Sequence, residues 1–308
     1  MRRVLVIRYG GFGDIAMSMG LFRTIRAHHD IDHVTALTTP PFAVLLAQSG
    51  YFDEIVADPR SKLWQMPEWL RFAHALRERR FDRVYDLQRN RRTALLYRAL
   101  SAARALEWSG VVPGCSHFVA DRAGDHRHAV DKLVEQLEQA GIERILPPEL
   151  GWLRGEAGSF GLPHRYALMV PGGAPHRPEK RAPAERFAAL ARYWVQAGIA
   201  PAILGTASER AQIDAIRAGC EDAIDLSDRT GFGDIAELAR GAVGAIGNDT
   251  GAMHLIAGVG CPSLVLFSGV SEPDEVCPRG ARVRVLRREP LASLETGEVI
   301  AAWEGLLR

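Results

Sequence analysis

Short, unbroken apolar runs alternate with stretches of helical period, and they do so in two blocks. In the first block Val4–Ile7, Val34–Leu37, Glu54–Val56 and Arg83–Leu87 read as strands, separated by helical segments at 15–28, 41–48, 64–79 and 93–103. Leu63, Met66, Leu70, Ala73 and Leu76 carry the spacing of the third of these, and a further helix at 130–140 is closed by Gly141. A continuous apolar run marks a strand buried on both faces, which a parallel sheet covered by helices provides. Gly151, Gly155, Gly158 and Gly161, followed by Pro163, then break the pattern and mark a linker. The second block has strands at 166–170, 202–204, 224–226, 243–246 and 263–267. A helix at 184–197 carries the apolar stripe Phe187, Leu190, Ala191, Trp194 and Val195, with Pro183 at its start and Gly198 past its end. A last helix near 297–306 has an apolar face that can pack back on the first domain. Such alternation predicts an α/β chain of two Rossmann-like doubly wound domains, 1–157 and 158–308. Ligands of such sheets bind beyond the carboxyl ends of the strands, and two facing domains would hold a site in the cleft between them.

Composition removes several function classes. A net charge of +1 gives no global field for nucleic acid. The four cysteines, at 115, 220, 261 and 277, form no C-x-x-C pair, which argues against a structural zinc site and a disulfide framework and fits reduced thiols in the cytoplasm. No stretch approaches the roughly 20 apolar residues of a membrane span. The basic start Met1-Arg2-Arg3 precedes an apolar run of only four residues, too short for a secretion signal and right for a first strand.

Chemistry concentrates where predicted strands meet predicted helices. Gly247-Asn248-Asp249-Thr250-Gly251-Ala252-Met253-His254 joins one apolar run to another. Asn, Asp and Thr cap helices, and the free N–H groups and positive dipole end behind them form an anion site. Asp249 and Thr250 would orient a ligand, and His254 lies one turn beyond Thr250, either touching it or buried in the core. Pro171-Gly172-Gly173 opens into a basic loop ending in Lys180-Arg181, either a phosphate cradle with Lys180 as its point charge or a solvated loop. Glu209, in Gly205-Thr206-Ala207-Ser208-Glu209, is placed to accept bonds from ribose hydroxyls or to sit exposed beside a capping Ser208. Near the N-terminus, Tyr9-Gly10-Gly11-Phe12-Gly13-Asp14 follows the first strand. Its glycines admit close backbone approach, and Asp14 is either a general base or a helix cap. Gly11-Phe12-Gly13-Asp14-Ile15-Ala16 recurs as Gly231-Phe232-Gly233-Asp234-Ile235-Ala236 with unlike flanks, which reads as one helix-start solution used twice. Finally Arg77, Arg79, Arg80, Arg83, Arg89, Arg91, Arg92 and Arg98 crowd the segment around Asp86-Leu87-Gln88, as an anionic acceptor site, a membrane-facing patch or a solvated face.

Taken in this order, the segments resemble the family 9 glycosyltransferases, the heptosyltransferases of lipopolysaccharide assembly. The Gly247–His254 turn, Gly260-x-Pro262 with Leu266-Phe267, Gly13-Asp14, Asp86-Leu87-Gln88, Pro171-Gly172-Gly173 and Lys180-Arg181-x-Pro183-x-x-x-Phe187 carry the resemblance over nearly the whole chain. It implies a GT-B fold and inverting, metal-independent transfer from a nucleotide-activated sugar such as ADP-heptose, with no cofactor. It implies Asp14 as catalytic base. Gly172, Gly173, Lys180, Glu209, Asp249, Thr250, Gly251 and His254 are then donor ligands. The acceptor, an anionic glycan or glycolipid, would meet Gly11, Gly13, Gln88, Arg89, Arg91 and Arg92. The protein would be cytoplasmic, with membrane contact only peripheral. The chain departs from the family at Tyr9-Gly10-Gly11-Phe12 and across Ala174 to Glu179, which bear on donor sugar and acceptor more than on fold.

Two other functions fit parts of the sequence. Gly11-x-Gly13-x-x-Ala16 with Asp32 near the expected acidic position approaches a dinucleotide fingerprint, implying an NAD(P)-dependent oxidoreductase. A catalytically idle sugar-nucleotide binding protein would keep the donor residues and make no use of Asp14.

Overall fold

Each block folds into one six-stranded, wholly parallel sheet. The computed structural model describes residues 1–60, 66–102, 105–122, 124–173 and 177–308, and the chain divides into the units Met1–Trp152 and Leu153–Arg308.

The first unit runs β1 (Arg3–Ile7), α1 (Phe12–His28), β2 (His33–Thr38), α2 (Pro40–Ala47), β3 (Glu54–Ala57), α3 (Met66–Glu78), β4 (Arg83–Asp86), α4 (Arg91–Ser101), β5 (Glu107–Gly110), β6 (His117–Phe118) and α5 (Ala129–Gln139). Its strand order is β3-β2-β1-β4-β5-β6. Val4, Leu5, Val6 and Ile7 are all buried, as an unbroken apolar run between two helical layers requires. Leu5, Ile7, Val84, Leu96 and Trp108 belong to one core cluster. The predicted start of the third helix, with Leu63 and Trp64, lies outside the described residues. β5 and β6 were not expected from the sequence. Glu107-Trp108-Ser109-Gly110 has one large apolar residue, and the strand forms because Trp108 is fully buried against the core while the backbone pairs with β4.

The second unit runs β7 (Tyr166–Val170), α6 (Ala184–Gln196), β8 (Ala200–Ile203), α7 (Arg210–Gly219), β9 (Ile224–Asp225), α8 (Phe232–Gly241), β10 (Ala245–Asn248), α9 (Gly251–Gly258), β11 (Ser263–Phe267), α10 (Pro273–Val276), β12 (Val283–Arg287) and α11 (Thr296–Leu307). Its order, β12-β11-β10-β7-β8-β9, repeats that of the first unit. α11 does not reserve its apolar face for the first domain. Val299, Ala302, Trp303 and Leu306 lie in the core of the second unit, with the Trp303 and Trp194 rings 4.5 Å apart between α11 and α6. Two large rings in contact bury much apolar area at one place, which holds the helix against α6.

Candidate functional site

In both sheets the strand order reverses once, between β1 and β4 and between β7 and β10. Helices leave in opposite directions from such a point and open a crevice beyond the carboxyl ends. The predicted site residues fall at these two places.

At the first reversal the loops after β1 and β4 are tied together. Gln88 Oε1 accepts the Tyr9 N–H at 2.8 Å and the Gly10 N–H at 3.0 Å. Gln88 therefore shapes the glycine loop with its carbonyl. Gly10 has φ +51°, and a Cβ there would stand 2.9 Å from Asp14 Cβ. Only glycine lets the loop turn this close to Asp14. Asp14 occupies the first turn of α1 and accepts the Gly11 N–H through Oδ2 at 3.0 Å. The capping role is thus real, and it leaves Oδ1 facing Arg8 Nη2 at 3.1 Å with the side chain 41% exposed. Gly13 lies in the same turn. Behind them Asp86 is fully buried, its Oδ1 accepting the N–H groups of Gln88 and Arg89. Burial pushes its carboxyl up to about 6.

The crowded arginines do not share a face. Arg83 opens β4 and Arg89–Arg92 follow its end, so the strand separates them. Arg83 is buried and donates to the Ala140 carbonyl. Arg79 pairs with Glu54. Arg92 holds the fully buried Asp58 through Nε at 2.8 Å and Nη2 at 2.5 Å. Arg89, with φ +52°, reaches Asp121 at 3.4 Å, and Arg91 is exposed in the first turn of α4. Arg89 and Arg91 remain beside the reversal with guanidinium groups not committed to a buried acid.

At the second reversal one buried side chain joins three segments. Asn248 Nδ2 donates to the carbonyls of Pro171 (2.7 Å) and Gly172 (3.0 Å), while Oδ1 accepts the Ala182 N–H at 3.0 Å. Lys180 Nζ meets Asp249 Oδ2 at 2.7 Å, which brings its ammonium to the start of α9. Thr250 caps that helix with extended backbone and no side-chain bond. Its Oγ1 is buried without a hydrogen-bond partner. Together with the first N–H groups of α9, this hydroxyl makes a donor set of the kind that can take an anion. Glu209 lies against Gly172, where a Cβ would come within 2.9 Å of Glu209 Cγ. It accepts from Thr206 N–H (2.8 Å), Thr206 Oγ1 (2.6 Å) and Ser208 Oγ (2.7 Å). Burial pushes its carboxyl up, but the bonds from Thr206 and Ser208 outweigh that and hold it below the usual range. Glu209 is therefore buried rather than exposed. Gly173 is covered by Arg181, whose Nη2 donates to its carbonyl at 2.6 Å. His254 is buried on α9. Ala174, Pro175 and His176 of the basic loop lie outside the described residues.

Asn248, Arg8 and Asp86 were overlooked as site residues. A polar or charged residue at the carboxyl end of an apolar run was the available signal for all of them. The dinucleotide reading fails on topology. Asp32 precedes β2, at the amino end of the sheet, where it accepts the Arg2 N–H and meets His29. A ribose-binding acid of that motif has to stand at the opposite, carboxyl end.

Two wholly parallel sheets of Rossmann order define the class as doubly wound α/β. The model of glycosyltransferase family 9 (heptosyltransferase) matches residues 69–301, and the chain belongs to that family. It is similar to lipopolysaccharide heptosyltransferase 2 of Salmonella typhimurium, 25% identical over 92% of this chain and 88% of that protein. Among solved structures it is similar to E. coli ADP-heptose lps heptosyltransferase II, at TM-score 0.80 and 23% identity over 100% of this chain and 98% of the other. It is also similar to E. coli heptosyltransferase WaaC with ADP-2-deoxy-2-fluoro heptose, at TM-score 0.76 and 19% identity over 98% and 99%. The fold is GT-B, and the protein is a glycosyltransferase.

Proposed function

We propose that the protein transfers heptose from ADP-heptose to a lipopolysaccharide-type or other anionic glycan acceptor, with inversion and without a metal ion. The observation that carries this reading is the arrangement of Lys180, Asp249 and the open start of α9 beside the Gly172–Glu209 contact. A diphosphate has a cation and free N–H groups there, and a ribose has a buried carboxylate. The nucleotide-sugar relatives in the same family support the donor class. In the reaction the acceptor hydroxyl attacks the anomeric carbon on the face opposite the diphosphate. Asp14 takes the hydroxyl proton, the bond from the anomeric carbon to the diphosphate oxygen breaks, and ADP leaves with the bonding electrons. Lys180 and the helix start meet the charge that develops on the leaving group, the work a metal would otherwise do. Arg89 and Arg91 attract the acceptor's anionic groups. In this reading the unit Met1–Trp152 serves the acceptor and the unit Leu153–Arg308 the donor. The reaction takes place in the cytoplasm, with any membrane contact peripheral; no helix among the described residues is long and apolar enough to cross a membrane.

The test is thermal stabilisation against ADP, UDP, GDP, ADP-heptose and NAD, then transfer by wild type and D14N. A ligand at about a hundred times its Kd adds about 2.7 kcal/mol of apparent stability. Stabilisation by ADP and ADP-heptose, with transfer lost in D14N but donor binding kept, is expected. Stabilisation by NAD alone, or transfer retained in D14N, overturns the reading.

A further inference from the structure

The repeated helix start offers a comparison inside one chain. Gly11 and Gly231 are both extended N-caps, of α1 and α8. In each, the carboxylate three residues on accepts the cap N–H, Asp14 Oδ2 at 3.0 Å and Asp234 Oδ2 at 2.9 Å. The same six residues build the same cap.

The second oxygens differ. Asp234 Oδ1 accepts the Glu156 N–H at 2.9 Å. The backbone closes around it, since a Cβ at Gly155 would stand 2.3 Å from Asp234 N and one at Gly233 2.0 Å from Arg154 O. That carboxylate is used up within the fold, on a helix that follows the edge strand β9. Asp14 Oδ1 faces the guanidinium of Arg8 instead, on the helix that leaves the strand-order reversal. The α8 start shows that the cap itself needs no arginine.

Arg8 also sits where stability gives it little reason to be. It is 7% exposed at the end of a buried strand, and burial pushes its pKa down against the charges of Asp14 and Asp86. An ion pair to a half-exposed carboxylate contributes little, whereas burying a guanidinium is costly. The cost is met by a bond from Nη1 to the Leu87 carbonyl and a long one from Nε to the Asp14 carbonyl. The charged groups around the pair are Asp86 below and Arg89 beyond it.

We infer that Arg8 is a positioning residue for transfer. It holds Oδ1 of Asp14 while the Gly11 N–H holds Oδ2, so the plane of the carboxylate is fixed and its free lone pairs face outward. The acceptor proton goes to Asp14, and Arg8 stays protonated throughout. This rests on the proposed role of Asp14 as base.

The test uses ADP-heptose and deep-truncated lipopolysaccharide with wild type, D14N, R8Q, R8K and the doubles. Wild-type transfer that D14N lowers by about a hundredfold or more, to a residual rate still measurable at high enzyme concentration, establishes the base reading; no wild-type transfer, or a D14N as active as wild type, overturns that reading and the inference with it. Given the base, R8Q should lower kcat about thirtyfold, the scale of a reacting group misplaced by under 1 Å, with donor KM within about twofold. R8K, which keeps the charge but not the fork, should recover most of this and lose about threefold. In the D14N background neither change should lower the residual rate further, because the effect runs through Asp14. Wild-type kcat in R8Q, or the same loss with and without Asp14, overturns the inference. Should R8Q fail to melt cooperatively, the R8K cycle alone decides, on whether its loss vanishes in D14N.

Discussion

Adding one methyl group to the glycine turn after β7 tests the geometry of the donor side. In G172A the new Cβ would lie 2.9 Å from Glu209 Cγ and 3.1 Å from Cδ, inside van der Waals contact. An ordinary glutamate would swing away. Glu209 cannot do so freely, because Thr206 N–H, Thr206 Oγ1 and Ser208 Oγ hold it at 2.8, 2.6 and 2.7 Å. Hydrogen bonds to a charged group contribute roughly 1.5–3 kcal/mol each, so the chain gives up about one of them or accepts overpacking of similar cost. The expected loss is about 2 kcal/mol in urea unfolding. On the proposed reading ADP affinity should fall with it, since the displaced carboxylate is the one proposed to meet the ribose. The assay is a double-mutant cycle with E209A, which removes the obstructing atoms. In that background G172A should cost only a few tenths of a kcal/mol on the same principle. An equal loss in both backgrounds would refute the argument and place the strain in the backbone instead.

Three further outcomes follow from the same geometry. K180A should weaken ADP binding by about tenfold or more, the value of one charge-assisted bond, and it should also lower the melting temperature, because the side chain of its partner Asp249 is only 9% exposed and would be left unpaired; unchanged ADP affinity by calorimetry would remove Lys180 from the donor site. D86N should stabilise the protein at pH 8, where the buried carboxylate is charged. A carboxyl raised from 3.8 to about 6 costs about 3 kcal/mol once ionised. That cost is full above pH 6 and disappears as pH falls below 4, so the advantage of D86N in urea melts should shrink between pH 8 and pH 4. An advantage independent of pH would show that the charge is not what Asp86 costs. Transfer should continue in excess EDTA, because Lys180 and the start of α9 supply the counter-charge; a rate restored only by Mg²⁺ would overturn that account.

What could be read from the sequence was set by burial on two faces. Val4–Ile7, Tyr166–Val170 and Ser263–Phe267 are continuous apolar runs, and each is a strand with nearly the predicted bounds. β5, β6 and β12 escaped notice because they lie toward sheet edges, where alternating or polar residues suffice. Val283-Arg284-Val285-Leu286-Arg287 is such a case, half-buried and paired on one side only. Capping chemistry and glycine turns single out Asp249, Thr250 and Lys180, which the structure brings together at the start of α9. Sequence proximity did not tell which arginines stand together, because neighbours in sequence can stand at opposite ends of one strand, as Arg83 and Arg89 do. The two Gly-Phe-Gly-Asp starts could not be told apart either. Strand order alone puts Asp14 at a reversal and Asp234 beside an edge, and strand order is a property of the whole sheet.

Asn248 has a mechanical consequence. Two of its three bonds run to the turn after β7 and the third to the segment that leads into α6, so both are tied to the end of β10. Among the described residues, the turn after β7, the segment into α6 and the start of α9 proposed for the donor are therefore tied to one another. A nucleotide arriving there has little ordering left to do, so its binding entropy should be small and its association fast. Stiffness of this kind also fixes the order of failure. The Ala182 amide should exchange its hydrogen only when its segment parts from the Asn248 side chain at the end of β10.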